Sequence, residues 1–416
     1  MTAPTIFFLH QNFPGQFRAL AGYMVRQGWT VYAAGTSEKY DTQKLTTTRE
    51  GIQVIGFKRK RDITAGIHRY LKMTEEAILN GQGFANTAIR LKKAGIEPDI
   101  VVAHSGWGTG SFAKAIWPEA KFVQYLEWWY TYPERDLLPP KRKKTPGQEA
   151  DARAYNACRN IPFLLDAMQA DAILTPTRYQ ALDVPDFLRK KLHILHDGVD
   201  CSLFSPEGRP DLLKLPTQGL SADHRVITYA TRGMEPMRGF PEFMHALSKV
   251  QKSHPDVHCV IAGNDSVHYS DWLPEGESYR KRALDAHEYD MSRLHFVGHL
   301  ELNTYARLLR RSDCHVYLTR PFVLSWSLIE AMASAAPLVV SNTPSVIEAL
   351  PNAQQALRVD HTDIDALALA ITETLDNPEA AKRRGARARK RAQRYYNAAQ
   401  LLPAHEHLFR EILAKV

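Results

Sequence analysis

The sequence predicts an α/β protein built from two doubly wound, Rossmann-like domains in series. Three observations carry that expectation. Short β-branched and aromatic runs alternate with segments of helical spacing from end to end. The alternation breaks once, over a long stretch rich in Pro, Gly, Asp and Ser, and then restarts. A chain of 416 residues is also long for a single core.

In the first half, strands are expected at "TIFFLH" (5–10), "TVYAAG" (30–35), "IQVIGF" (52–57), "DIVVAHS" (99–105), "KFVQYLE" (121–127), "AILTPT" (172–177) and "LHILHDG" (192–198). Segments such as "QFRALAGYMVRQG" (16–28) lie between them with apolar residues at helical spacing, the pattern of βαβ units around a parallel sheet. The break, "DGVDCSLFSPEGRPDLLKLPTQGLSADHR" (197–225), reads as an interdomain linker. Strands resume at "RVITYATRG" (225–233), "VHCVIAGND" (257–265), "LHFVGHL" (294–300), "CHVYLTRP" (314–321) and "PLVVSN" (337–342). Ligands of such sheets bind at the carboxyl ends of the strands, and paired domains add a cleft between them.

Apolar residues make up 44% of the chain, as a globular fold requires, and no apolar run reaches the roughly 18 residues of a membrane span. The start, "MTAPTIFFLHQNFPG", lacks the cationic opening and the long apolar run of a signal peptide. Cys158, Cys201, Cys259 and Cys314 are too scattered for a disulfide framework or a zinc site, so a reduced, cytoplasmic setting is expected. Net charge is 53 − 45 = +8, concentrated in "PPKRKKTP" (139–146) and "KRRGARARKRAQR" (382–394). These runs fit a solvated surface, or attraction to an anionic membrane surface or an acidic substrate. Nucleic acid is not an expected partner, because no interleaved aromatics or binding motif accompany the charge.

"TYATRGMEPMRGFPEFMHALSKV" (228–250) is a strand, a glycine-containing loop and a helix opening near Gly239. Helix N-termini favour anions, and Arg232 and Arg238 in the feeding loop suit a diphosphate, or are two surface arginines. Gly263 and Gly298 end the next strands and allow close backbone approach. Glu330 follows amid Leu328, Ile329, Ala331 and Met332, where a lone carboxylate is costly unless a cation or a ligand satisfies it. In the first half Gly15 lies in the loop after the first strand, and His104 ends a strand ahead of "SGWG". Glu127 and Trp128 open the aromatic run "EWWYTYPERD", suited to stacking on a sugar or to domain-interface packing. A metal site is not expected: "DID" (363–365) reads as helix capping, and the histidines of "HEH" (405–407) do not share a helix face.

Together these segments resemble the family 4 glycosyltransferases of GT-B arrangement. "TRGMEPMRG" (231–239) is similar to the family's Gly-Arg-Leu…Lys-Gly loop, with Arg238 in the lysine's place. "LIEAMASAAPLVVSNTPSVIEAL" (328–350) is similar to its Leu-Glu-Ala-Met-Ala…Pro-Val-Val run. "HDGVDCSLFSP" (196–206) and "VGHLELNTYARLLRRSDCHVYLTRP" (297–321) also resemble family segments, as do "FFLHQNFPGQFRALAGYM" (7–24) and "VVAHSGWGTG" (101–110).

The resemblance implies an acceptor domain over 1–200, a nucleotide-sugar domain over 201–390, and a terminal helix over 391–416 packed back on the first domain. It implies a retaining, metal-independent transfer from a nucleotide-diphosphate sugar, UDP favoured, to a saccharide or glycolipid acceptor of the cell envelope. No cofactor is implied, the donor being a co-substrate, and the protein is placed in the cytoplasm or peripherally on the membrane. Glu330 takes the place of the ribose-binding glutamate. Arg232 and Arg238 would offset diphosphate charge, with the backbone N–H groups of Val323, Leu324 and Ser325 beside them. His104 lies near the donor sugar, and Gly15 near the leaving diphosphate or acceptor. The glutamate expected seven residues before the ribose-binding one is replaced by Phe322. That change keeps two alternatives in view: a nucleotide-sugar epimerase or hydrolase on the same fold, and a non-catalytic nucleotide-binding partner.

Overall fold

The computed structural model describes residues 3–415 other than 37, 42–43, 45, 136–143, 208–216, 218 and 222. Most of the basic run 139–146 and the middle of the expected linker therefore lie outside the described residues. The described chain divides into two compact units: Val199–Asn397 forms the second, and the first combines the chain before it with the stretch from Ala398 onward.

The first unit holds eight strands: β1 (Thr5–Leu9), β2 (Thr30–Thr36), β3 (Thr47–Arg49), β4 (Ile52–Phe57), β5 (Ile100–His104), β6 (Lys121–Tyr125), β7 (Ala172–Thr175) and β8 (Leu192–Ile194). Their order is β3-β4-β2-β1-β5-β6-β7-β8, parallel throughout except for the β3–β4 pair. The central strands are buried along nearly their whole length, which is why they read as unbroken apolar runs. β3, "TTR", is short, polar and exposed at the edge, so no hydrophobic period announced it. Strand order reverses between β1 and β5, and the carboxyl ends of these two strands deliver His10 and His104.

The second unit has six parallel strands: β9 (Arg225–Gly233), β10 (Val257–Asn264), β11 (Leu294–Gly298), β12 (Cys314–Tyr317), β13 (Leu338–Ser341) and β14 (Leu357–Val359). Their order is β11-β10-β9-β12-β13-β14, with the reversal between β9 and β12. β14 is a three-residue, partly exposed edge strand that the sequence pattern does not single out. Asp363 caps the helix Ile364–Asp376, its side chain accepting the Ala366 N–H at 3.0 Å, the role expected for "DID".

The terminal helix is Ala398–Ala414, and its buried Leu408, Phe409 and Ile412 join Phe8, Phe17 and Tyr125 in the core of the first unit. The expected start at 391 falls instead inside the preceding helix, Pro378–Tyr395. Gly198, at φ +84°, makes the junction: a Cβ there would lie 2.7 Å from the Ala398 Cα. No helix among the described residues is long and apolar enough to cross a membrane.

His196 and His405 are buried together beneath this helix, the His405 ring reaching the His196 carbonyl at 3.3 Å. Burial lowers both to about 4, with each other's charge adding for His196. The unfolded chain, with histidines near 6.5, binds more protons than the folded one between those values. Stability is therefore full above pH 6.5 and lost as pH falls toward 4. Urea unfolding at pH 7 and pH 5 of the wild type and of His405→Leu isolates this contribution from groups of opposite sign. The variant should lose less stability, or gain more, between pH 7 and pH 5 than the wild type, and an equal change in both would refute the assignment.

Candidate functional site

The loop after β9 and the helix after β12 converge at the carboxyl edge of the second sheet, around a cavity of about 630 Å³. Arg232 and Arg238 line it from the first side, Gly263 and Asn264 from the end of β10, and Ser325, Ser327 and Glu330 from the helix Trp326–Ala333. Four tyrosines, Tyr229, Tyr269, Tyr305 and Tyr317, add ring surface to the wall.

Arg238 is held in place. Its guanidinium donates to the Thr319 hydroxyl at 3.0 Å and lies 5.5 Å from the Tyr269 ring centroid. Its carbonyl accepts the Tyr229 hydroxyl at 2.6 Å. Gly239 follows in the left-handed region at φ +65°, where a Cβ would sit 2.6 Å from the Leu318 Cβ, so the turn into the helix Phe240–Ser253 demands glycine. Arg232 is exposed on the same cavity. Gly263, at φ +130°, is equally constrained, since a Cβ would strike the Thr231 carbonyl at 1.9 Å.

Glu330 sits among apolar neighbours and has no ion-pair or hydrogen-bond partner for its carboxylate among the described residues. Burial raises its pKa from 4.5 to about 7. The adjoining Tyr305 hydroxyl is buried and unbonded too, and burial followed by the Glu330 charge pushes its phenol well above the ordinary value. Two polar groups aimed into a cavity without partners of their own are arranged for a ligand.

The sequence reading missed the group that shapes this cavity. Glu235 is fully buried, and its Oε2 accepts the backbone N–H groups of His268, Tyr269 and Ser270 at 3.2, 2.9 and 2.8 Å. It thereby pins the loop that brings Tyr269 onto Arg238. A carboxylate beside proline in an arginine-flanked loop was the only available signal. Glu235→Ala orphans three N–H groups and should cost about 2 kcal/mol in urea unfolding; an unchanged midpoint would count against this role.

Several expected positions are corrected. Leu324 is buried in the core, and the Ser325 N–H donates to the Tyr317 hydroxyl at 3.2 Å, so that amide is already used. Val323 does not line the cavity, whereas the Ser325 side chain both lines it and caps the helix. Gly298 precedes the lining residues His299 and Leu300 without lining the cavity itself. Phe322 packs edge-on against Tyr269, with ring centroids 5.4 Å apart.

In the first unit a second polar cluster forms at the ends of β1 and β5. The His10 and His104 rings lie 4.7 Å apart. Gln16 joins His10, at 2.8 Å, to Glu127, at 3.0 Å, and a Glu127 oxygen lies 3.6 Å from His104 Nε2. Burial, then the neighbouring His104, lowers His10 to about 3. Burial alone would raise the Glu127 carboxyl, but the neighbouring His104 ring and the hydrogen bond from Gln16 outweigh that and hold it below its ordinary value. Glu127 is thus a partner of His104. Gly15, at φ +44°, leaves room for the His10 ring, 2.6 Å from where a Cβ would stand, and not for a ligand. Trp128 is buried, its ring 6.0 Å from Tyr179, so its faces are not open to stack on an acceptor.

Residues 27–204 match the family described as Glycosyl transferase family 4 group, and residues 216–391 match Glycosyl transferases group 1. The chain is 32% identical over 201 residues to a glycogen synthase of Mycobacterium tuberculosis, covering 48% of this chain and 44% of that protein. It thus spans about half the length of the curated relatives it matches. Among solved structures, sucrose-phosphate synthase from Thermosynechococcus elongatus superposes with a TM-score of 0.72 at 15% identity, over 99% of this chain and all of that one. The Anabaena protein HepE, in complex with UDP-glucose, superposes with a TM-score of 0.69 at 14% identity, covering 98% and 99%. At these identities the two structures establish the shared GT-B fold.

Proposed function

The chain belongs to the group 1 glycosyltransferases, and on that premise we propose that it transfers a sugar, with retention, from a nucleotide-diphosphate donor to an acceptor hydroxyl. The observation that carries the reading is the convergence of Arg232, Arg238 and an unpartnered Glu330 on one cavity at the reversal point of the second sheet. The carboxylate accepts the two ribose hydroxyls, and the guanidinium groups take the diphosphate. As the bond between the sugar's anomeric carbon and the phosphate oxygen breaks, negative charge builds on the departing diphosphate. Arg232 and Arg238 stabilise it without a metal ion. The acceptor oxygen bonds to the anomeric carbon on the same face and gives up its proton to the departing phosphate oxygen. In the first unit His104, with a Glu127 oxygen 3.6 Å away, is the proposed sugar contact. UDP is the favoured carrier, since the fold-sharing HepE is described with UDP-glucose.

A cell-envelope saccharide or glycolipid is the proposed acceptor, with peripheral membrane association through the helix Pro378–Tyr395. On that helix Arg389 and Arg391 are spent on carbonyls of Phe204 and Ala349, while Lys382, Arg383, Arg387, Lys390 and Arg394 face outward. Neutralising those five should reduce sedimentation with anionic vesicles and spare nucleotide binding; unchanged sedimentation would exclude this surface.

A thermal-shift screen with UDP, GDP, ADP and CMP tests the donor site. A ligand at about 100 times its dissociation constant adds roughly 2.7 kcal/mol. Stabilisation by one nucleoside diphosphate supports the reading and names the base. Stabilisation by none overturns it.

A further inference from the structure

A second cavity, of about 310 Å³, opens in the first unit where β1, β2 and β4 end. That volume is near the lower bound, about 300 Å³, of small-molecule sites. Four consecutive cations, Lys58 to Arg61, leave β4 along its rim. Two of them are neutralised: Arg59 by Glu76 at 3.3 Å and Asp62 at 3.5 Å, Arg61 by Glu75 at 2.7 Å. Lys58 and Lys60 are exposed and carry no ion pair among the described residues.

The segment bearing these lysines is fixed from behind. In the helix Lys72–Lys93, a Cβ at Gly83 would lie 2.6 Å from the Lys58 carbonyl. A Cβ at Gly81 would lie equally close to the Gly108 carbonyl, in the loop that follows His104. Asn80, buried between them, donates to the Trp107 carbonyl at 2.9 Å and reaches Gln11, the residue after His10, at 3.5 Å. One helix therefore locks the cationic rim and the His10–His104 cluster to the same frame. The Thr36 hydroxyl, on the cavity wall, is buried with no partner among the described residues.

We propose that this cavity, walled by Gln11 next to His10, binds the phosphate ester of a hydroxyl-rich acceptor, a sugar phosphate. Lys58 and Lys60 are compact ammonium donors suited to a phosphate. Glu38 lines the same cavity and would repel a bare anion, but it accepts hydrogen bonds from sugar hydroxyls, as do Gln11 and Thr36. Asp62 also lines the cavity but is paired with Arg59, so two free cations, the Glu38 carboxylate and neutral acceptors remain, a mixture that fits a phosphorylated sugar better than phosphate alone. The assignment deepens the transferase reading and rests on it.

The test is isothermal titration of the full chain, as wild type and as Lys58→Gln/Lys60→Gln, with glucose 6-phosphate, glucose and UDP, alongside co-sedimentation with phosphatidylinositol-containing vesicles. The wild type should bind glucose 6-phosphate and not glucose. The double variant should weaken that binding by more than about tenfold, with UDP binding unchanged. Vesicle binding lost in the variant, without glucose 6-phosphate binding, would keep the site and assign the phosphate to a lipid headgroup. Equal binding of the probes by both proteins, or binding of neither by the wild type, overturns the proposal. Glucose 6-phosphate binding without UDP binding would instead overturn the transferase reading and leave the site standing.

Discussion

Glu330→Gln should abolish nucleoside-diphosphate binding and, in the empty protein, raise stability at pH 8 but not at pH 5. Both effects come from one fact: the half-buried carboxylate has no partner among the described residues, and its partial desolvation lifts its pKa from 4.5 to about 7. The sign follows from proton counting. Between pH 4.5 and 7 the folded state binds more protons at this site than the unfolded one, so stability falls as pH rises through that window. A shift of that size corresponds to up to about 3 kcal/mol, fully felt above pH 7, and glutamine removes it. Binding runs the other way. Hydrogen bonds to a charged group contribute about 1.5–3 kcal/mol each, so losing two ribose contacts should weaken binding by at least a hundredfold. Wild-type affinity should also fall as pH drops below 7, while the variant shows no such slope. Thermal unfolding at the two pH values, with UDP titrations beside it, checks both. A variant that binds UDP as the wild type does would remove Glu330 from the site.

The main strands of both sheets were legible because a doubly wound sheet buries its central strands on both faces, and "IVVAH" or "LVVS" then has no polar alternation to confuse it. Edge strands such as Thr47–Arg49 and Leu357–Val359 are short and half exposed, so burial wrote nothing into them. Glu330 was legible for the opposite reason, a charge in an apolar stretch that has to be accounted for, and Arg238 because it lies in a glycine-containing loop that feeds a helix N-terminus. Glu235 and Tyr305 were not. The first is satisfied by backbone N–H groups more than thirty residues away, and the second occupies an ordinary position on an amphipathic helix. Gly15 and Trp128 misled because a glycine or an aromatic ring looks the same whether a ligand or a neighbouring side chain fills the space beside it. Only the His10 ring and Tyr179 decide those two cases.

Arg238→Met should reduce turnover by about 10²–10³-fold, the effect of removing one preorganised donor from developing negative charge. The argument is one of preorganisation. The guanidinium is held by Thr319 and lies against Tyr269, which Glu235 pins through its own amide. The carbonyl of Arg238 is anchored by Tyr229, and Gly239 allows no other residue at the turn. The charge is therefore in position before the diphosphate begins to leave. Arg232 has no such scaffold and is exposed, so Arg232→Met should act mainly on donor KM. Comparing UDP with uridine separates the two contributions from the base and ribose: both variants should lose affinity for UDP and keep it for uridine. Steady-state release of UDP from UDP-glucose, with glucose 6-phosphate supplied as acceptor, gives kcat and KM for each. If Arg238→Met changed KM alone, the guanidinium would be a binding group and not a stabiliser of the leaving diphosphate. If neither variant changed either constant, the phosphate would lie elsewhere in the cavity, and the family's loop would have lost its role in this chain.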